Sequence, residues 1–308
     1  MRVKKVGFVA ALTALAGGCA AVPPPATRAA PAPAPTSVTP PTPAPIATPV
    51  VPIDRSFHFD SDEFIQGGLV RGEAPDTTQR LTFDGKPIEV APDGRFLIAF
   101  DRDHGDTAAL VATLADGSTV SDTLPIAKRE WRIERLNRLR KVSQPSAEFQ
   151  RRRPGELEQI HAARAEHTDA TGWRQKFIWP VRGRISGLFG SQRFYRGEPG
   201  AYHSGTDIAV PTGTPIVAPA DGVVTMISRA PFTLEGKLLF IDHGMGLNSV
   251  FIHLSGIDVE PGQHVKQGQK IAESGATGRA TGPHLHWGLM WNGARIDPLL
   301  VAGPMGSR

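Results

Sequence analysis

Glycine and proline divide the C-terminal part of the chain into short apolar runs. The 308-residue sequence contains 33 glycines and 28 prolines, and many of them fall between residues 177 and 303. Short runs bounded by these residues are typical of β-strands, because regular helices need longer uninterrupted segments. We therefore predict a mainly β fold here, with strands over residues 222–228, 237–242, 248–254, 269–274 and 284–290.

Residues 1–19 have the pattern of a secretory signal. Three basic side chains precede an apolar run of ten residues. This run is too short to span a bilayer core, which needs about 20 residues. The letters LAGGC follow, and they resemble a bacterial lipobox with Cys19 as the acylated residue. An ordinary signal, cleaved near this small-residue site, is the alternative.

Cys19 is the sole cysteine of the sequence, which excludes a disulfide scaffold and a thiolate metal cluster. Acylation would make it a stable membrane anchor, and the resemblance implies the outer membrane because Ala20 is not an acidic retention signal. We therefore expect a lipoprotein of the cell envelope, located in the periplasm. Residues 20–56 are rich in proline and alanine and predict a disordered tether, extended by about 3.1 Å per residue.

Residues 57–127, here called the N-terminal module, predict a small β-sandwich. Apolar and polar residues alternate over 94–100, and turn signals such as Asp84-Gly85 and Asp116-Gly117 separate the runs. The stretch TFDGKPIEVAPDGRF resembles bacterial immunoglobulin-like modules. The module contains no catalytic pattern, so we expect it to act as a spacer or to bind an envelope protein partner.

Residues 128–176, here called the basic segment, predict a helical linker. Apolar residues in KREWRIERLNRLRKV recur near helical spacing and indicate a helix over 128–142. Ser146 fits the N-cap of a second helix running toward Ala170. The three arginines at 151–153 have two interpretations, contact with an anionic partner or a solvated face partly neutralised by the acidic module. We favour the second.

The formal net charge of +4, from 34 basic and 30 acidic residues, does not indicate nucleic-acid binding. Most of the excess lies in the signal, and the interleaved aromatic residues expected for single-stranded nucleic acid are nearly absent. The part between the signal and residue 127 is acidic, whereas the basic segment is positively charged. We therefore expect these two parts to contact each other.

Five residues near the C terminus are candidates for a metal site: His203, Asp207, His253, His284 and His286. Alternate side chains of a strand share a face, so the imidazoles of His284 and His286 are expected to point the same way. Imidazole and carboxylate donors suit zinc, and a catalytic zinc site needs three protein ligands and an open position. The spacing alone leaves open which three of the five bind the metal.

The ordered motifs HSGTD, FIHL and GPHLHW, together with WPVRGRISGLFG and VKQGQKIAESGATGRA, resemble the lysostaphin-like zinc metallopeptidases, also called the LytM or M23 family. The resemblance covers roughly two-fifths of the chain and implies a peptidase domain over residues 177–303, here called the C-terminal domain. It implies a β-sandwich or hybrid-barrel fold and Zn²⁺ as cofactor. It assigns the metal ligands to His203, Asp207 and His286, and the catalytic roles to His253 and His284.

The resemblance implies a zinc endopeptidase that hydrolyses the peptide cross-links of bacterial peptidoglycan. The alternative is a non-catalytic LytM-type regulator that activates cell-wall amidases, but such relatives lack the full set of key residues that this chain keeps. Two departures from the family pattern, Gly288 in place of a glutamate and no aromatic residue at 247–249, touch no ligand. The segments PTGTPIVAPADGVV and GQHVKQGQKIAESG resemble the paired hammerheads of biotinyl and lipoyl carrier domains. A carrier function is a runner-up in outline only, because the lysine that accepts the cofactor is missing. His243 is predicted to be a turn residue beside the sheet.

Overall fold

The computed structural model describes residues 52–138 and 146–306. The predicted signal, Cys19 and nearly all of the predicted tether lie outside the described residues. Within the described ranges, no helix is both long enough and apolar enough to cross a bilayer. The fold of these residues is mainly β, as predicted.

Seven strands form two antiparallel sheets in the N-terminal module. In chain order they are β1 (His58–Phe59), β2 (Leu69–Glu73), β3 (Thr78–Phe83), β4 (Lys86–Ile88), β5 (Arg95–Ala99), β6 (Thr107–Leu114) and β7 (Thr119–Pro125). One sheet has the order β1-β2-β5 and the other the order β4-β3-β6-β7. Alternate residues of β6 are buried, which places Leu110 in a core with Phe96 and Phe100. The immunoglobulin-like character of the module stays a prediction.

The other elements follow the module in chain order. They are β8 (Ile133–Leu136), α1 (Ala147–Ala165), a 3-10 turn (Gly172–Arg174), β9 (Arg184–Gly187), β10 (Gln192–Tyr195), β11 (Glu198–Pro199), β12 (Thr206–Ala209), β13 (Pro215–Val217), β14 (Gly222–Phe232), β15 (Gly236–Asp242), β16 (Leu247–Leu254), β17 (Gly256–Ile257), β18 (His264–Val265), β19 (Lys270–Glu273), β20 (Leu285–Trp291), β21 (Ala294–Ile296) and α2 (Pro298–Ala302).

An eight-stranded sheet forms the centre of the C-terminal domain. Its order is β18-β14-β15-β16-β20-β12-β9, and β21 pairs with β20. The five predicted strands are confirmed, because they correspond to β14, β15, β16, β19 and β20. The side chains of Leu285 and Trp287 on β20 are fully buried. Burying these large apolar groups stabilises the central strands and fixes which face of β20 points outward.

The helix predicted over residues 128–142 is wrong in its described part, up to residue 138. Residues Ile133–Leu136 form β8, which pairs in parallel with β10, and the ring of Trp131 packs edge-on against Phe189 with centroids 5.8 Å apart. The spacing of apolar residues is a local signal, and pairing with a strand almost sixty residues away overrides it. Residues 139–142 lie outside the described residues.

The second helix of the basic segment is confirmed. It begins after Ser146, whose hydroxyl accepts a hydrogen bond from the backbone N–H of Phe149 at 3.1 Å, and it ends at Ala165 rather than near Ala170. Arg153 of the arginine run donates to both carboxylate oxygens of Glu235, at 2.6 and 2.9 Å. This arginine is therefore used to attach α1 to the C-terminal domain.

The predicted contact between the acidic module and the basic segment is present. Arg174 donates to both carboxylate oxygens of Asp93, at 2.7 and 2.9 Å. The guanidinium of Arg71 donates to the backbone carbonyls of Trp173 and Gln175, at 2.6 and 2.9 Å. A single cluster of buried apolar side chains includes residues from both the N-terminal module and the C-terminal domain.

His243 follows β15, as expected for a residue beside the sheet, but it is fully buried. Its imidazole bonds to the carbonyl oxygen of Asp221 and to the hydroxyl of Ser249, each at 2.8 Å. Burial lowers the pKa of His243 from 6.5 to about 4. The neutral imidazole therefore acts as a structural group that joins the end of β15 to β16.

We expect the metal-free protein to lose stability in mild acid through His243. Below pH 6.5 the unfolded chain is protonated at this residue, whereas the folded protein is protonated there only near pH 4. The free energy of unfolding should therefore fall by about 3 kcal/mol as the pH drops through this window. Urea unfolding at both ends of the window measures the loss, and His243→Gln should make it smaller. An equal loss in the variant would contradict the assignment.

Candidate metal centre and active site

Three side chains meet at the junction of β12 and β20. Asp207 and His286 are directly opposite each other in the antiparallel pair, and His203 lies four residues before Asp207. The Asp207 Oδ1 atom is 2.8 Å from His286 Nδ1 and 3.0 Å from His203 Nε2, and these two nitrogens are 3.0 Å apart. Two imidazole nitrogens and one carboxylate oxygen that converge on one point fit a zinc ion with a further open position.

The backbone fixes the orientation of the His203 ring. Its Nδ1 donates to the carbonyl oxygen of Leu188 at 3.0 Å, so Nε2 is the nitrogen that faces Asp207 and His286 and that is left to bind a metal. A histidine ligand is commonly held in this way, with its second nitrogen bonded to a carbonyl. The loop that contains Leu188 therefore determines which nitrogen of His203 is free for a metal.

His253 and His284 lie beside these three residues, as the family resemblance implies. Their ring centroids are 4.7 Å apart, and His284 Nε2 is 3.8 Å from Asp207 Oδ1. The Nδ1 of His253 donates to the carbonyl of Thr277, and that of His284 to the carbonyl of Gly282, each at 2.8 Å. Each Nε2 is thereby left as an acceptor, which suits proton transfer more than it suits a structural role.

Hydrogen bonds and charge oppose burial in setting the pKa values of Asp207 and His203. Burial alone would raise the pKa of Asp207, but hydrogen bonds from His203 and His286 lower this pKa far below its usual range. Burial alone would lower the pKa of His203, but the bond and charge of Asp207 outweigh it and raise the pKa. Burial lowers the pKa of His253 to about 4. Asp207 is therefore ionised and His253 is neutral near pH 7.

His253 has a left-handed backbone, with φ of +66°. The pairing of β15 with β16 shifts register between Lys237 and Leu239, which is a bulge of the kind that redirects a side chain beside a site. The backbone N–H of His253 donates to the carbonyl of Glu235 at 2.8 Å. Since Arg153 holds the Glu235 carboxylate, α1 supports the turn that holds His253. The sequence motifs did not indicate Glu235, Arg153 or Thr277.

Two glycines allow the metal-site strands to approach closely. A Cβ atom at Gly187 would overlap the carboxylate of Asp207, and one at Gly205 would overlap the imidazole of His286 and the backbone of Trp287. Sequence reasoning did not single out either glycine. Their positions within SGLFG and HSGTD were a usable signal, because glycine near ligand motifs often marks a close backbone approach.

We expect Gly187→Ala to weaken zinc binding, because the new methyl group displaces the Asp207 carboxylate. Displaced ligand contacts of this kind cost about tenfold or more in metal affinity. Competition with a chelating dye measures the effect. The matched control is Gly105→Ala, where a Cβ meets nothing within 4 Å and affinity should be unchanged. Equal affinities for the two variants would contradict the prediction.

Residues 201–298 match the model of Peptidase family M23. The chain is 40% identical over 134 residues to the peptidoglycan DD-endopeptidase ShyA of Vibrio cholerae, a match that covers 43% of this chain and 31% of that protein. It is 42% identical over 135 residues to ShyB of the same organism, also named a peptidoglycan DD-endopeptidase, covering 44% of this chain and 28% of that protein. The chain thus spans less than a third of the length of these curated relatives.

A solved structure from Pseudomonas aeruginosa, assigned to peptidase M23, is similar over most of the fold. The two chains are 31% identical with a TM-score of 0.59, and the match covers 78% of this chain and 95% of that one. The likeness therefore extends well beyond residues 201–298.

Proposed function

The chain belongs to peptidase family M23, and from this premise we propose that it is a zinc-dependent endopeptidase that hydrolyses peptide cross-links of bacterial peptidoglycan. The convergence of His203, Asp207 and His286 beside two further histidines is the observation that carries the proposal. Relatives named as peptidoglycan DD-endopeptidases support the substrate class.

Zinc, when bound by His203, Asp207 and His286, acts as a Lewis acid toward a carbonyl group and makes water a stronger acid near neutral pH. His253 is neutral there because burial lowers its pKa to about 4, so its Nε2 can accept the proton of an attacking water. The same nitrogen can later deliver that proton to the leaving amine. When His284 carries a proton, its Nε2–H can donate to the negative charge that develops on the carbonyl oxygen.

Incubation of purified sacculi with the full-length protein tests the proposal. We expect soluble muropeptides in which cross-linked pairs have separated, with a new amine on one stem and a new carboxylate on the other. Chelation should stop the release and added Zn²⁺ should restore it. If no fragments appear although zinc is bound, and a cell-wall amidase becomes active when the protein is added, the regulator alternative replaces the enzyme.

We further propose that the protein is exported and anchored to the outer membrane through acylated Cys19. The LAGGC sequence and the proline-rich tether support this location. Metabolic labelling with a fatty acid, followed by membrane fractionation, tests it. Label and membrane association should both be lost in Cys19→Ser, whereas membrane association without label would contradict the anchor.

A further inference from the structure

A buried arginine of the N-terminal module reaches into the C-terminal domain. Arg102, only 5% exposed, follows β5. Its Nε donates to the carbonyl of Gly190 at 3.0 Å, and its Nη2 donates to Oε1 of Gln192 at 3.1 Å. Its Nη1 donates to the carboxylate of Asp103 at 2.7 Å. Each guanidinium nitrogen therefore has a partner, as burial of a charged group requires.

The same guanidinium stacks on two aromatic rings. Its carbon lies 4.8 Å from the ring centroid of Tyr202 and 5.2 Å from that of Trp131. The Tyr202 hydroxyl donates to Oδ1 of Asp101 at 3.2 Å. The module therefore holds both the ring and the hydroxyl of the residue directly before His203.

Arg102 bonds to the loop of residues 188–191, and the same loop holds His203. The backbone N–H of Gly190 donates to the carbonyl of His203 at 2.9 Å, and the N–H of His203 donates to the carbonyl of Ser191 at 2.8 Å. Leu188 in the same loop accepts from His203 Nδ1. Gly190 has φ of +77°, and a Cβ atom there would overlap the ring of Trp131. The backbone and the imidazole of His203 are thus both fixed by residues 188–191.

We propose that Arg102 is a positioning residue for the metal ligand His203, so that the N-terminal module is a working part of the metal centre. The inference rests on the metal site of the proposed function but not on its peptidoglycan substrate. It assigns the module a role other than that of a spacer. Without Arg102, the carbonyl of Gly190 and the ring of Tyr202 lose their shared partner, and the backbone groups of residues 188–191 that orient His203 become mobile.

A second contact between the module and the rest of the protein provides a matched control. Arg174 binds the carboxylate of Asp93 with two nitrogens and stacks on Trp173, with 4.2 Å between its carbon and the ring centroid. This contact resembles that of Arg102 in chemistry but involves no residue between 188 and 203. A general loosening of the module should therefore appear in Arg174→Leu as well as in Arg102→Leu.

The test is the zinc affinity of the full-length variants, measured by competition with a chelating dye, with the absorption spectrum of the Co²⁺-loaded protein as a second readout. We expect Arg102→Leu to bind zinc about 10- to 100-fold more weakly and to show an altered Co²⁺ spectrum. Arg174→Leu should match the wild type in both. An unchanged affinity in Arg102→Leu, or an equal loss in Arg174→Leu, overturns the proposal.

Arg102→Lys provides a second test of the proposal if Arg102→Leu does not fold. Lysine keeps the charge but cannot bond to Gly190 and Gln192 in the same plane while stacking on Tyr202. We expect a folded protein with weakened zinc binding, and wild-type affinity would overturn the proposal. Neither readout involves peptidoglycan. If the wild-type protein binds zinc but does not cut sacculi, the proposed function fails while the test of Arg102 remains valid.

Discussion

Replacing His286 with alanine is expected to abolish both zinc binding and the release of muropeptides. His286 supplies one of three donors, and the remaining pair, His203 Nε2 and Asp207 Oδ1, leaves the metal with too few protein ligands for a catalytic site. A bound metal contributes several kcal/mol to stabilisation of the transition state, so activity should fall by more than about a thousandfold. Metal content per chain and digestion of sacculi measure the two effects.

The control for this variant is His264→Ala. His264 is an exposed histidine on β18, at the far edge of the central sheet from β9. Its removal should change neither zinc content nor activity. Zinc at one ion per chain and unchanged digestion in His286→Ala would show that the three converging residues are not the metal site.

Replacing His253 is expected to leave zinc in place and to remove most of the turnover. Its Nε2 accepts and transfers protons in the proposed reaction, and loss of a general acid–base group costs about 10²- to 10⁴-fold in rate. The effect should appear in kcat more than in KM, because His253 is assigned to the chemical step rather than to substrate binding. Zinc content and turnover of His253→Ala test this assignment.

His253→Asn is the sharper variant because position 253 has a left-handed backbone, which asparagine tolerates better than alanine. The asparagine amide can also donate to the carbonyl of Thr277, as Nδ1 of histidine does. Both variants should bind zinc as the wild type does and should be similarly inactive. Loss of the metal in either one would mean that His253 has been given the wrong role.

Much of the central sheet could be predicted because its signals are local. The apolar runs that became β14, β15, β16, β19 and β20 are bounded by glycine or proline, and the alternation in GPHLHW predicted that the imidazoles of His284 and His286 point the same way. The grouping of His203, Asp207 and His286 as metal ligands follows only from the family resemblance. The structure brings these three donors together, and their role as ligands stays a prediction that the variants above test.

The individual partners in contacts between segments far apart in the sequence could not be predicted, although the charge balance predicted that the module and the basic segment touch. Residues Ile133–Leu136 have helix-like spacing but form a strand because β10 offers them backbone partners. The carbonyls of Leu188 and Thr277 orient the site histidines. Every residue has a backbone carbonyl, so the sequence does not show which carbonyls bond to a histidine. The role of Arg102 likewise depends on a loop almost ninety residues away.

The left-handed backbone of His253 means that folding and the proposed catalytic role favour different amino acids at this position. A non-glycine residue in a sparsely populated backbone region costs about 1 to 3 kcal/mol, a cost that glycine would avoid. Selection for stability alone would therefore favour glycine or asparagine at position 253. In the proposed reaction, a histidine at this position supplies proton transfer at a cost in stability.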